Sequence, residues 1–196
     1  MSRPLPSFRW LAGVAGLLLA ASASATTLVR LDDDQLIEES TLIVTGSCTK
    51  VRQEWRQGML WTLATVKVDR RLKGRAASEV TVMIPGGVDF NREVPVAVSF
   101  PGAPTMLPAE RVLLFLEPAG TGPGEMSITG FSQGKLSILE TADGTPTVRR
   151  DLAGVSLAEG HRLRSGGKRA TPLAELEERI VRRVAEGHET PNLPRR

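Results

Sequence analysis

The chain has 196 residues, of which 41% are hydrophobic, so it can form one ordinary domain with its own core, whereas two full domains would be crowded. Aromatic residues make up only 4% and tyrosine is absent, so aliphatic side chains must fill most of the core. The formal net charge of +3 falls to +1 without residues 1–25, which contain two arginines and no acidic residue. This near-neutral balance argues against a nucleic-acid partner, which needs a concentrated basic face.

The N-terminus has the pattern of a cleaved secretory signal. Arg3 and Arg9 precede an apolar run from Trp10 to Ala20, and Ala23-Ser24-Ala25 supplies the small residues that a signal peptidase recognises. The apolar run is shorter than the roughly 20 residues that span a bilayer, and the residue directly after the predicted cut is Thr26 rather than a cysteine. We therefore predict a periplasmic or extracellular protein that begins at Thr26 and keeps no stable membrane anchor.

A short helix with a well-defined start is predicted from Leu31 to Ser40. Asp32 can cap it, and Gln35 can complete a capping box. The following acidic residues favour the positive end of the helix, and the further oxygen ligands that calcium needs are missing. The acidic run is therefore predicted to cap the helix.

Two long runs of strand-forming residues come next, Leu42 to Val51 and Met59 to Leu72. The polar stretch Arg52 to Gly58 between them is predicted to be a hairpin loop. Trp55 in this loop is either a contact residue for a partner or a ring folded back onto the domain. Cys48, the only cysteine, shares strand parity with apolar residues, so we expect a small buried hydrophobe and no internal disulfide.

The segment Val88 to Pro108 is apolar and contains four prolines, which suits neither a central strand nor a solvated linker. It is either a binding loop or a loop that packs on the domain and seals one end. Its candidate contact residues are Phe90, Phe100 and Met106.

The sequence also predicts several short strands at even spacing, which is typical of a barrel or sandwich: Glu79–Ile84, Arg111–Leu116, Met126–Phe131, Lys135–Glu140 and Thr145–Arg149.

The C-terminal part changes character. Residues 155–170 are predicted to be a flexible linker with a mild basic patch, residues 171–187 an amphipathic helix, and residues 188–196 a disordered tail. The helix has an apolar stripe formed by Leu173, Leu176, Ile180, Val181 and Val184. That stripe must pack either on residues 26–154, the predicted main domain, or on another molecule.

The sequence shows no catalytic or metal-binding constellation. The Gly130–Lys135 run lacks the spacing of a phosphate-binding loop, and His161 and His188 fall in the predicted linker and tail. One cysteine and two such histidines do not make a zinc site. We therefore expect neither an enzyme nor a cofactor, although a hydrolase with an unrecognised carboxylate site stays open as an alternative.

Four motifs carry a resemblance: Leu42-Ile43-Val44-Thr45-Gly46, Leu72-Lys73-Gly74, Arg111-Val112-Leu113-Leu114-Phe115-Leu116 and Gln133-Gly134-Lys135-Leu136. Over roughly residues 31–150 the chain resembles an uncharacterised family of secreted bacterial proteins. More distantly, its layout is similar to the OB-type barrels of netrin-like domains and tissue inhibitors of metalloproteinases. Those inhibitors place an N-terminal cysteine on the protease zinc, whereas this chain would offer Thr26 and Thr27 and no disulfide.

The predicted fold is therefore mainly β: an OB-like closed or partly open barrel of five to seven strands with a short N-terminal helix and an amphipathic C-terminal helix. The predicted function is non-catalytic binding of a protein or cell-envelope component, with an exported protease among the candidate partners. Trp55, Phe90, Phe100 and Met106 are the predicted contacts. Metalloprotease inhibition through Thr26 and Thr27 is the alternative within binding.

Overall fold

The structure of the protein, a computed structural model, describes residues 26–152, 155–159, 162–165 and 168–189. Within these ranges the chain is mainly β, as predicted, and has two α-helices, α1 (Asp33–Glu39) and α2 (Leu173–Glu189). The predicted signal peptide and residues 190–196 of the predicted tail lie outside the described residues. The strands are β1 Thr26–Val29, β2 Leu42–Arg56, β3 Met59–Lys73, β4 Glu79–Pro85, β5 Gly87–Asp89, β6 Val96–Val98, β7 Arg111–Pro118, β8 Glu125–Ile128, β9 Lys135–Glu140, β10 Pro146–Asp151, β11 Val155–Glu159, β12 Arg162–Ser165 and β13 Lys168–Pro172.

Helix α1 begins with the predicted capping box. The Asp32 carboxylate accepts a hydrogen bond from the Gln35 amide at 2.8 Å, and the Gln35 side chain accepts one from the Asp32 amide at 2.9 Å. Leu36 and Ile37 of α1 are buried. The cap therefore fixes the direction in which this short helix lays its apolar side against the sheet.

The long hairpin of β2 and β3 is more regular than predicted. Its turn consists of Gln57 and Gly58, both with positive φ, and strand pairing extends to Arg56 and Met59. The prediction of a loop from Arg52 to Gly58 is therefore wrong, because residues 52–56 continue β2 in pairing with β3, with Arg52, Glu54 and Arg56 on one face. Trp55 lies on the other face of that strand, opposite Leu60.

The largest sheet has the strand order β13-β10-β9-β7-β2-β3-β4-β8, with an additional pairing between β7 and β8. Strand β7 pairs along one edge with β2, and along the other edge first with β9 and then with β8. The pairings among β2, β3, β4, β8 and β7 therefore return to the starting strand. Of these five pairings only the one between β4 and β8 is parallel.

Two apolar layers lie on opposite faces of the central strands. One contains Val44, Cys48 and Met106, and the other contains Ile43, Phe115 and the buried apolar residues of both helices. Cys48 is free and buried, as predicted. Because both faces are covered, the central strands are apolar almost without alternation.

Helix α2 packs on its own domain. Leu176 and Ile180 are buried in the second layer, whereas Val181, a member of the predicted stripe, is 46% exposed. None of the helices in the described part of the chain is both long and apolar enough to cross a membrane.

The described residues within 155–170 are not the flexible linker that the sequence suggested. Strand β11 pairs with β1 in parallel and with β12 antiparallel, and β13 pairs with β10. Leu152, Val155 and Leu157 form a small buried cluster with Leu28. The high content of glycine, serine and basic residues concealed these short strands, of which β11 pairs with β1 at the other end of the described chain.

Candidate functional site

Strands β5 and β6 form a small hairpin that follows β4 and lies against the long hairpin of β2 and β3. The Gly86 amide donates to the Leu60 carbonyl at 2.8 Å, and the Thr62 hydroxyl donates to the Gly86 carbonyl at 2.7 Å. A Cβ at Gly87 would lie only 2.6 Å from the Thr62 hydroxyl, so glycine permits this close approach. The base of the small hairpin is therefore fixed to β3.

Asp89, at the end of β5, accepts hydrogen bonds from three donors. The Trp55 indole Nε1 donates to Oδ2 at 2.7 Å, the Asn91 amide to Oδ1 at 3.0 Å, and Arg92 Nε to Oδ2 at 3.2 Å. Asp89 is only 7% exposed. The hydrogen bonds from Trp55 and then Asn91, with that from Arg92, hold the pKa of the Asp89 carboxyl below its ordinary value.

The connection between β5 and β6 carries an exposed apolar surface. Phe90 is 74% exposed and Val94 is 73% exposed. Between them, Arg92 pairs with Asp89 and lies 4.8 Å from the centroid of the Trp55 ring. Glu93 is exposed and makes no hydrogen bond or ion pair with the described residues. We call residues 90–94 the Phe90 tip.

Three of the predicted contact residues lie on or beside this hairpin, and one does not. Trp55 is hydrogen bonded to Asp89, the residue that immediately precedes Phe90. Phe100 lies beside Gly86, since a Cβ at Gly86 would be 3.3 Å from the Phe100 ring. Met106 is only 5% exposed and packs in the first apolar layer, so its predicted contact role is wrong.

The apolar segment Val88 to Pro108 is therefore divided. Its first part projects as the Phe90 tip, and its later part, with Met106 and Ala103, packs against the core. The reading as a packed loop holds for the later part, and the binding role of the first part stays a prediction. The sequence analysis missed Asp89, Arg92 and Val94. One signal in the sequence could have identified Asp89, because it is an aspartate inside an apolar segment.

Thr26 and Thr27 lie on β1, which belongs to a different sheet from β5 and β6. Their backbone pairs with β11 at Val155 and Ser156. No contact of the described residues bears on inhibition through this end of the chain, so that role stays a prediction from the sequence.

A second polar cluster joins the end of β2 to the start of β8. Arg56 Nη1 lies 2.7 and 2.8 Å from the two carboxylate oxygens of Glu125, and Arg56 Nε lies 2.8 Å from Glu54. The Arg56 guanidinium holds the pKa values of both carboxyls below their ordinary values. These three groups are thus paired with one another in the folded protein.

A third cluster lies near Cys48. The Glu110 carboxylate accepts hydrogen bonds from Lys135 Nζ at 2.6 Å and from the Ser137 hydroxyl at 2.7 Å. Burial raises the pKa of the Cys48 thiol, which disfavours the reactive thiolate. Among the described residues no group of three or more histidine, cysteine or acidic side chains is placed to hold a metal.

One cavity of about 400 Å³ lies between the ends of α1 and α2. Its cations already have partners, since Lys73 Nζ donates to the Ile37 carbonyl and Arg183 Nη2 donates to Glu38 at 2.9 Å. The Phe90 tip is therefore the stronger candidate for a site that contacts another molecule.

No protein-family model matches the chain, and no curated protein matches it. The function is therefore inferred from the geometry of the chain itself.

Proposed function

We propose that the protein is an exported, non-catalytic binding module that holds a protein of the cell envelope or periplasm through the Phe90 tip. The observation that supports this proposal is the exposure of Phe90 (74%) and Val94 (73%) on a hairpin fixed by a buried carboxylate. Large exposed apolar side chains on a well-held support are typical of the anchor residues of protein interfaces.

The fold that we propose for the module is an OB-like barrel. Support comes from the cycle of pairings among five strands. Strands β2, β3 and β4 form an antiparallel meander, and β8 pairs in parallel with β4 and antiparallel with β7. Counted along the chain, the parallel pairing therefore joins the third and the fifth of these strands. An OB-fold is a five-stranded, partly open Greek-key barrel. In this description the Phe90 tip belongs to the connection between the third and fourth strands.

The charge at the tip favours a protein partner over a lipid surface. Asp89 pairs with Arg92, and Glu93 forms no ion pair with the described residues, so the tip has no net positive charge with which to bind anionic lipids. A complementary partner would offer an apolar pocket for Phe90 and Val94 beside a basic side chain for Glu93.

The experiment measures how much of a component the exported protein, expressed from its full chain, captures from envelope extract. The same amount is then measured for variants of the tip. Phe90→Ser and Val94→Ser should each reduce the captured component at least about tenfold, as expected for anchor residues. Leu107→Ser is the matched control, because Leu107 is 64% exposed but lies outside the tip. Point substitutions are needed because replacing all of Val88–Pro108 would also remove Met106 from the core.

The partner chemistry is tested with Glu93→Lys, which should weaken capture, and Glu93→Asp, which should retain it. Full capture by Phe90→Ser and Val94→Ser would show that the tip is not the contact site. Cosedimentation of the protein with vesicles of anionic lipid, lost in the Phe90→Ser variant, would replace the protein partner with a membrane surface.

A further inference from the structure

We propose that Asp89 is the positioning residue of the Phe90 tip and holds the tip in its binding conformation before a partner arrives. This inference rests on the proposed function of the same tip. Asp89 itself is almost fully buried, so it acts through the residues it holds and does not touch the partner.

The three donors to Asp89 come from different parts of the chain. Trp55 belongs to β2 and lies 34 positions away, whereas Asn91 and Arg92 belong to the tip itself. Among the described contacts, the bonds to Asp89 are the only hydrogen bonds that tie residues 90–95 to the rest of the protein. One carboxylate therefore connects the tip to the long hairpin.

The position of Arg92 follows from the same carboxylate. With its Nε bonded to Asp89, the Arg92 guanidinium lies over the Trp55 ring. Ordering a flexible residue on binding costs conformational entropy, so a tip that is already ordered binds more tightly with the same contacts. Asp89 would in this way set affinity without adding a contact.

The experiment observes the tip directly by NMR in the exported protein. Asp89→Asn places an amide where one carboxylate oxygen accepted a bond, and Trp55→Phe removes only the indole donor. With Asp89→Asn, we expect the indole N–H signal of Trp55 to shift, and with either variant, exchange of the Asn91 amide to rise at least about tenfold. The indole of Trp61 is an internal control and should not change.

A matched control is Asp143→Asn. Asp143 also accepts hydrogen bonds within a hairpin turn, from the Thr141 hydroxyl and from the Thr145 amide at 3.2 Å. This variant should alter only its own turn. If Asp89 positions the tip, Asp89→Asn and Trp55→Phe should each reduce capture from envelope extract about tenfold while leaving the unfolding midpoint near that of Asp143→Asn. Their double variant should bind no worse than either single one, since both remove the same bond.

Two results would overturn the inference. One is unchanged exchange of Asn91 and an unchanged Trp55 indole signal in Asp89→Asn. The other is faster exchange with full capture, which would make Asp89 a local structural residue and leave the binding role of the tip intact. Failure of the proposed function is seen separately, as full capture by Phe90→Ser.

Discussion

Gly74 follows the last residue of β3 with a φ of +76°, and a Cβ built on it would lie 2.2 Å from the Thr41 carbonyl oxygen. Two independent constraints therefore require glycine. The backbone conformation is unfavourable for other residues, and the neighbouring chain is too close for any side chain. Since Thr41 immediately precedes β2, the constraint lies where the long hairpin meets the end of α1.

Gly74→Ala is predicted to lower the free energy of unfolding by about 3 kcal/mol, because strain in the left-handed conformation and a backbone clash add together. The control is Gly124→Ala, which has the same φ of +76° but no atom within 4 Å of the added Cβ. That variant should lose about 1 kcal/mol. Urea denaturation measures both, and equal losses would show that the contact with Thr41 has no energetic effect.

At the scale of the element, α2 is held by an apolar side and by ion pairs with α1. Ile180 is fully buried, while Arg179 contacts Asp33 and Asp34 at 3.3 and 3.2 Å. Asp33 also pairs with Arg150 of β10 at 3.0 Å. The acidic run that was predicted to cap α1 therefore also binds α2 and the sheet, although exposed ion pairs of this kind contribute only about 0–1 kcal/mol each.

Most of the attachment of α2 should come from its apolar side. We predict that Ile180→Ala lowers the free energy of unfolding by about 3 kcal/mol, as expected for a large-to-small change in a packed core. Val181→Ala changes the adjacent residue, which is 46% exposed, and should cost less than about 1 kcal/mol. Equal effects in chemical denaturation would contradict the observed packing of α2 on its own domain.

For the whole molecule, Glu110 links distant parts of the chain. Its carboxylate contacts Lys135 and Ser137 of β9 and accepts a hydrogen bond from the Leu107 amide at 3.1 Å. Partial burial raises the pKa of the Glu110 carboxyl, but the hydrogen bonds from Lys135 and Ser137 outweigh burial and leave the pKa below its ordinary value. The ionised form is thus favoured by the folded protein.

This shift predicts how stability depends on pH. A carboxyl whose pKa is lowered by folding stabilises the protein above its unfolded pKa of about 4.3, and that contribution is lost as pH falls through the lower folded value. Glu110→Gln should therefore destabilise the protein at pH 7, and the difference from the unsubstituted protein should shrink in acid. Glu39→Gln, which removes an exposed carboxylate, is the control in denaturation experiments at both pH values. A difference that stays constant down to the most acidic pH would contradict this role of Glu110.

Local patterns in the sequence determined several features of this protein. The capping box of Asp32 and Gln35, the buried Cys48, the apolar runs of β2 and β3 and the apolar side of α2 depend on residues a few positions apart, and all four were predicted. Trp55 and Phe90 were also chosen from local character alone, as large apolar residues in polar or irregular surroundings.

Only the tertiary structure decided which distant residues meet. The parallel pairing of β1 with β11, the burial of Met106 and the hydrogen bond from Trp55 to Asp89 each join segments that no local periodicity connects. A strand shows in its sequence which faces are apolar, but its hydrogen-bonding edges look the same whichever partner they take. For that reason the sequence could propose Trp55 and Phe90, whereas the fold was needed to show the carboxylate that joins Trp55 to the Phe90 tip.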